Sequence, residues 1–209
     1  MAVDMDAMGD KIESKLIKAA IKWALKEVEE KPELQSVLCL HSGIAGGAGL
    51  IPFPGVDVCV IVPNLWTMYA RLSARANIPI KENLLKAFAV GILTNIVIFI
   101  AAIKVAGFLA KFIPGVGTIA GMCIDTAFNF AATYTSGILF IAILSTFKEK
   151  LQGSKIEKYD VDKIIKQMFF DKNTIKDIFK SAKEKGKNVD FKKYKEEAQR
   201  IYDENKKSS

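Results

Sequence analysis

The chain has 209 residues, half of them hydrophobic, and 30 Lys+Arg against 23 Asp+Glu give it a net charge of +7. A sequence this apolar is not intrinsically disordered, because disorder needs low hydrophobicity. Nor is it evenly charged: residues 1–37 carry six basic and eight acidic side chains, residues 38–147 only six and three, and residues 148–209 eighteen and twelve. These boundaries predict an amphipathic N-terminal helix (1–37), an apolar helical core (38–147) and a lysine-rich helical tail (148–209).

In the first region, Ile12, Leu16, Ala20, Trp23 and Ile17, Ile21, Ala24, Val28 recur at helical steps over residues 10–31. Lys11, Lys15, Lys18, Lys22 and Lys26 form a stripe at the same spacing. Such a stripe is ordinarily a solvated face. The sharper reading is an interfacial helix on anionic lipid with Trp23 at the headgroups, opposed by Glu27, Glu29 and Glu30. Pro32 ends this helix and can open the next.

The segment Gly43–Gly55 reads GIAGGAGLIPFPG. Gly43 with Gly47, and Ala45 with Gly49, have the spacing that lets helix backbones approach closely. Pro52, Pro54 and Gly55 punctuate the chain, and Pro63 either kinks the next run or begins a new helix through Trp66, Tyr69, Arg71 and Arg75. A loop follows at Asn77–Glu82. Ala87–Ile103 and Thr126–Phe147 are then free of charge for 17 and 22 residues, within the length of a membrane span. Between them Ile113–Gly117 breaks the helix, repeating the Pro-Gly-Val of the earlier break.

In the tail, three short amphipathic helices are expected. Val161, Ile164, Ile165, Met168 and Phe169 mark the first. Ile175, Ile178, Phe179 and Ala182, with Asn173 as N-cap, mark the second, and Phe191, Tyr194, Ala198, Ile201 and Tyr202 after Asp190 mark the third. No stretch alternates with period two. The fold class expected is all-α: hydrophobic helical hairpins joined by Pro-Gly hinges at Pro52, Pro54, Gly55, Pro114, Gly115, Gly117 and Gly121, with a charged N-terminal helix and a small C-terminal helical region.

Asp57 and Asp125 are isolated acids in the apolar middle. Asp57 and Asn64 share one helix face, and Asp125 and Asn129 another, so the four could form a polar seam between helices, as in an ion or proton path. The simpler reading makes Asp57 a helix cap and pairs Asp125 with Arg71, Lys104 or Lys111.

Chemistry finds little support. Gly115, Gly117 and Gly121 imitate a dinucleotide-binding pattern but follow an apolar helix rather than a strand. His41 is the single histidine, and no nucleophile elbow is present. The three cysteines, Cys39, Cys59 and Cys123, lack metal spacing and read as buried thiols. We expect no catalytic residue, cofactor or metal, and no enzyme. The tail interleaves acids with its lysines, so nucleic acid is not an expected partner.

GLIPFPGVDVCVIVPNLWTMYARLS and KFIPGVGTIAGMCIDTAFNFAATYTSGILF resemble the two halves of a bacterial domain of unknown function, found in YcjF-like membrane proteins and after Era-like GTPase domains. Ile113–Gly121 resembles its signature, with Thr133 and Gly137 at matching places; Pro52, Pro54, Asp57 and Met68 match in the first half. The resemblance covers about residues 40–145. It implies a membrane-associated helical accessory or scaffold protein serving a separately encoded GTPase, since no P-loop sequence occurs here.

Two functional readings follow. In the first, Ala87–Ile103 and Thr126–Phe147 form a hairpin in the bacterial inner membrane. Both termini are then cytoplasmic, because the N-terminus has no signal-peptide pattern, and Trp66, Tyr69, Arg71 and Arg75 sit at the interface. Its partners are membrane lipid, the GTPase and further copies of the chain. In the second, a soluble cytoplasmic interaction module buries these helices against each other or across an oligomer interface. A pore is a lesser alternative resting on the seam residues.

Overall fold

A computed structural model describes residues 5–52, 56–78, 80–108, 119–146, 158–169 and 172–207. Among them the chain forms eight helices and no strand: α1 (Met5–Glu30), α2 (Pro32–Ala48), α3 (Val56–Arg75), α4 (Glu82–Phe108), α5 (Ile119–Thr146), α6 (Lys158–Met168), α7 (Lys172–Lys187) and α8 (Lys192–Lys207). The all-α class is as expected.

Local chemistry sets the helix ends. Pro32 is the first residue of α2, where its missing N–H is not needed, and Lys31 before it is extended. The end of α3 is a Schellman closure. Ile78 N–H donates to Ser73 O at 3.1 Å and Asn77 N–H to Ala74 O at 3.1 Å. Asn77 between them is left-handed, φ 53°, a conformation asparagine tolerates better than most side chains. In the tail, Lys192 N–H donates to the Asp190 carboxylate at 3.2 Å as α8 begins. Asn173, expected as a cap, lies inside α7, which starts one residue earlier.

The bundle is organised around α5, against which α1, α2, α3, α4, α6 and α7 all pack. Thr126–Thr146 is long and apolar enough to cross a membrane, yet 94% of its apolar window is buried inside the protein. One core draws on all three compositional regions. Ile17, Ile21, Ala24 and Val28 come from α1, Leu65, Met68 and Leu72 from α3, Ile138–Leu144 from α5, and Val161, Ile164, Ile165 and Met168 from α6. At its centre Tyr69 stacks on Phe140 with ring centroids 3.9 Å apart, and Phe88 meets Phe140 edge-on at 6.0 Å.

Of the hinge residues, Pro52 is exposed beside buried Ile51, and Gly121 lies in the first turn of α5. Pro54, Gly55, Pro114, Gly115 and Gly117 lie outside the described residues, as does Cys123's side chain. Cys39, read as a buried thiol, is instead exposed, and Cys59 is partly so. The reason is helical phase: neighbouring Leu38 takes the inward position on α2.

Candidate functional site

The most developed polar arrangement joins α2, α3 and α8. His41 and Asn64 are almost fully buried, 2% exposed each. Asn64 Nδ2 donates to the His41 carbonyl at 2.8 Å, which turns Asn64 Oδ1 toward His41 Nδ1 at 2.7 Å. Arg71 Nη1 lies 3.2 Å from His41 Nε2. A guanidinium can only donate, so Nε2 must accept, and the imidazole proton is on Nδ1, pointing at Asn64. The ring is therefore neutral in this network.

Burial holds the imidazole below the usual histidine value of 6.5; the Asn64 hydrogen bond opposes this, and the Arg71 charge adds to it. Because the unfolded chain then binds the proton first, this contribution to stability is complete above pH 6.5 and falls as pH drops through and below that value. Chemical denaturation between pH ~7.5 and ~5 should show this loss. His41→Gln should remove that share of the pH dependence. With one histidine in the chain, a single imidazole resonance reports the same titration by NMR.

The network faces a cleft of about 380 Å³ whose far wall is α8, with Glu197, Arg200 and Glu204. Arg200 is held by Glu197 through two hydrogen bonds. The seating of α8 explains two sequence features. The glycine face of α2 receives its aromatic side: a Cβ at Gly46 would fall 2.2 Å from the Phe191 ring, and one at Gly47 2.8 Å from Tyr194 backbone. The small-residue spacing thus serves a contact within this chain. Pro63 lies inside α3, which runs through it. Having no N–H, it leaves the Cys59 carbonyl four residues earlier without its helical donor. Asn205 of α8 supplies one, Nδ2 to Cys59 O at 3.4 Å.

Of the proposed seam, Asn64 finds its partner on α2 rather than α5. Asn129 is buried within α5, and the side chains of Asp57 and Asp125 lie outside the described residues. The four interface candidates also separate. Tyr69, expected at an interface, is fully buried, and its hydroxyl donates to the Ser136 carbonyl at 3.3 Å. Its place on the helix faces α5, and the ring stack on Phe140 fixes it there. Arg75 Nη1 donates to Glu33 O at 2.9 Å, and Arg71 turns to His41. Trp66 is half-buried with the Lys86 ammonium 4.5 Å from its ring centre. The sequence reading missed the pairing of His41 with Asn64. The signal for it is the single histidine standing in a stretch, Leu34–Val56, that has no charged side chain.

On the opposite side, α1 turns Ile17, Ile21, Ala24 and Val28 inward and leaves Leu16 and Trp23 exposed at 60% and 44%. Lys15, Lys18, Lys22 and Lys26 are exposed beside them.

Over 97 residues the chain is 31% identical to "Magnetosome membrane protein 22" of Magnetospirillum gryphiswaldense, a match covering 46% of this chain and 50% of that protein. The chain thus spans about half the length of this curated relative. No family model matches the chain, and no solved structure matches it.

Proposed function

We propose that the chain is a membrane-associated helical scaffold protein that attaches by its surface, with a separately encoded GTPase as its partner. The observation that carries the mode of attachment is the enclosure of α5. Among the described residues, the helix with the length and composition of a span has six other helices against it, so its apolar side chains already have protein neighbours. A helix that is apolar all round needs burial, and the bundle provides it. Membrane association on this reading uses the outside of the bundle, the part of Ala87–Ile103 beyond Ile96 lying outside the residues whose side chains are described. The relative, named as a membrane protein, supports the location. The resemblance over residues 40–145 supports the accessory role and names the class of partner.

Cell fractionation tests this. The chain should sediment with membranes at neutral pH and be released by carbonate. Retention after carbonate would favour a spanning hairpin. Recovery of the whole pool as soluble protein would favour the interaction-module reading, which the enclosure of α5 within one chain also suits. Affinity capture from the native host should recover a P-loop protein; its absence would remove the GTPase from the proposal.

A further inference from the structure

We infer that the outer face of α1 is the membrane-contacting surface and that it selects anionic lipid, an inference that rests on the surface-attached reading above. On a helical wheel the inward residues Ile17, Ile21, Ala24 and Val28 occupy one side, and Lys15, Lys18, Lys22 and Lys26 gather on the far side. Leu16, Ala19 and Trp23 lie along the border of that lysine stripe, all three exposed.

Two things distinguish this face from an ordinary solvated one. From Ser14 to Lys26 the chain has four lysines and no acid; the Lys26 ammonium reaches Glu30 at 3.6 Å, and the acids Glu27, Glu29 and Glu30 are confined to the last turn. Of the four large hydrophobic side chains left exposed among the described residues, two, Leu16 and Trp23, also fall on this one strip. The strip continues inward as an open groove of about 870 Å³ between α1, α2, α3 and α5, where apolar Leu16, Trp23, Leu34 and Leu144 meet a charged end with Glu27 and Glu33 beside Lys31 and Arg75.

The arrangement matches a lipid interface in both layers. An indole prefers the headgroup level, where its ring is in apolar surroundings and its N–H stays wet. Lysines one turn apart beside it meet phosphates while their stems lie along the apolar boundary. Over Ser14–Lys26 the charge is of one sign, so the surface complementary to that stretch is anionic. The inward face stays committed to the core, so contact needs no opening of the bundle.

The test uses the full chain with phosphatidylcholine vesicles, with and without phosphatidylglycerol. Wild type should co-sediment with the anionic vesicles and lose affinity as salt rises. Lys18→Gln with Lys22→Gln should weaken binding about tenfold or more, and Leu16→Ser with Trp23→Ser by a similar factor. Lys192→Gln with Lys195→Gln, the same charge change on α8, should leave it unaltered. In a Trp66→Phe background Trp23 is the one remaining tryptophan, and its emission should shift to the blue on anionic vesicles. If wild type binds while the α1 variants bind equally well, or Trp23 emission does not move, the α1 surface is overturned and the membrane reading stands. If wild type binds neither vesicle but still fractionates with cell membranes, the lipid selectivity is overturned and attachment is through protein. Failure in both assays overturns both.

Discussion

Replacing Asn64 by alanine is expected to lower the free energy of unfolding by about 2–4 kcal/mol. The side chain makes two hydrogen bonds to one residue, at 2.7 and 2.8 Å, with both residues almost fully buried at the foot of the cleft. Alanine leaves the Nδ1 proton of His41 without its acceptor, and the His41 ring remains held at its other nitrogen by Arg71. The cost of a buried unsatisfied donor therefore adds to the lost contacts. Urea denaturation at neutral pH measures it, and a change below about 0.5 kcal/mol would mean the network contributes nothing. Asn64→Asp separates the parts. A carboxylate still accepts from Nδ1 but cannot donate to the His41 carbonyl, and its charge favours the imidazolium. The histidine should then titrate above its wild-type position.

The second large effect is expected at Gly47. Gly47→Ala should destabilise by about 1–3 kcal/mol, even though alanine is the better helix former by about 1 kcal/mol. Its Cβ would meet the carbonyl carbon and oxygen of Tyr194 at 2.8 and 2.9 Å, and backbone in a helix cannot turn aside as a side chain can. The α8 helix must shift away, so proteolysis near residue 190 should quicken along with the loss of stability. Gly91→Ala is the contrast. There the near atom is Cδ1 of Ile165, the end of a flexible side chain, and the helix-propensity gain should bring the change close to neutral or stabilising. If both variants behaved alike, glycine at residue 47 would not be required by the approach of α8.

Much of the fold can be read in the sequence where a helix has two unlike faces. Val161, Ile164, Ile165 and Met168 are spaced so that only one side of α6 can be buried, and that side is buried. The same holds for Ile175, Ile178, Phe179 and Ala182 of α7. In α1 two apolar rows compete, and periodicity alone does not say that the row with Leu16 and Trp23 loses; packing against α5 decides it. The stretch Gly137–Leu144 of α5 has no polar side chain to orient it, so its composition fits a bilayer and a protein interior equally. Tyr69 shows the same limit: beside Trp66 and Arg71 it reads as an interfacial aromatic, but Phe140, 71 residues later, supplies the ring that buries it.

The candidate site was legible in part. The isolated polar residues in apolar helices could be named, Asn64 among them, because a lone amide there must find a partner. Which partner is a matter of how two helices lie together, and His41 is 23 residues away on another one. The glycines of α2 announced a close approach without saying what approaches, since Phe191 and Tyr194 come some 145 residues later.

The bond from Asn205 to the carbonyl that Pro63 leaves open spans 146 residues. A chain emerging from the ribosome makes α2 and α3 long before α8 exists, and domains assemble from the N-terminal side as they are synthesised. For most of that time the glycine groove of α2 and the break in α3's ladder are both unsealed. The helix α8 is therefore a closing piece whose late arrival completes two earlier ones, and closure over such a separation is the slow kind. The sealing of α2 and α3 waits on the order in which their residues and those of α8 are made.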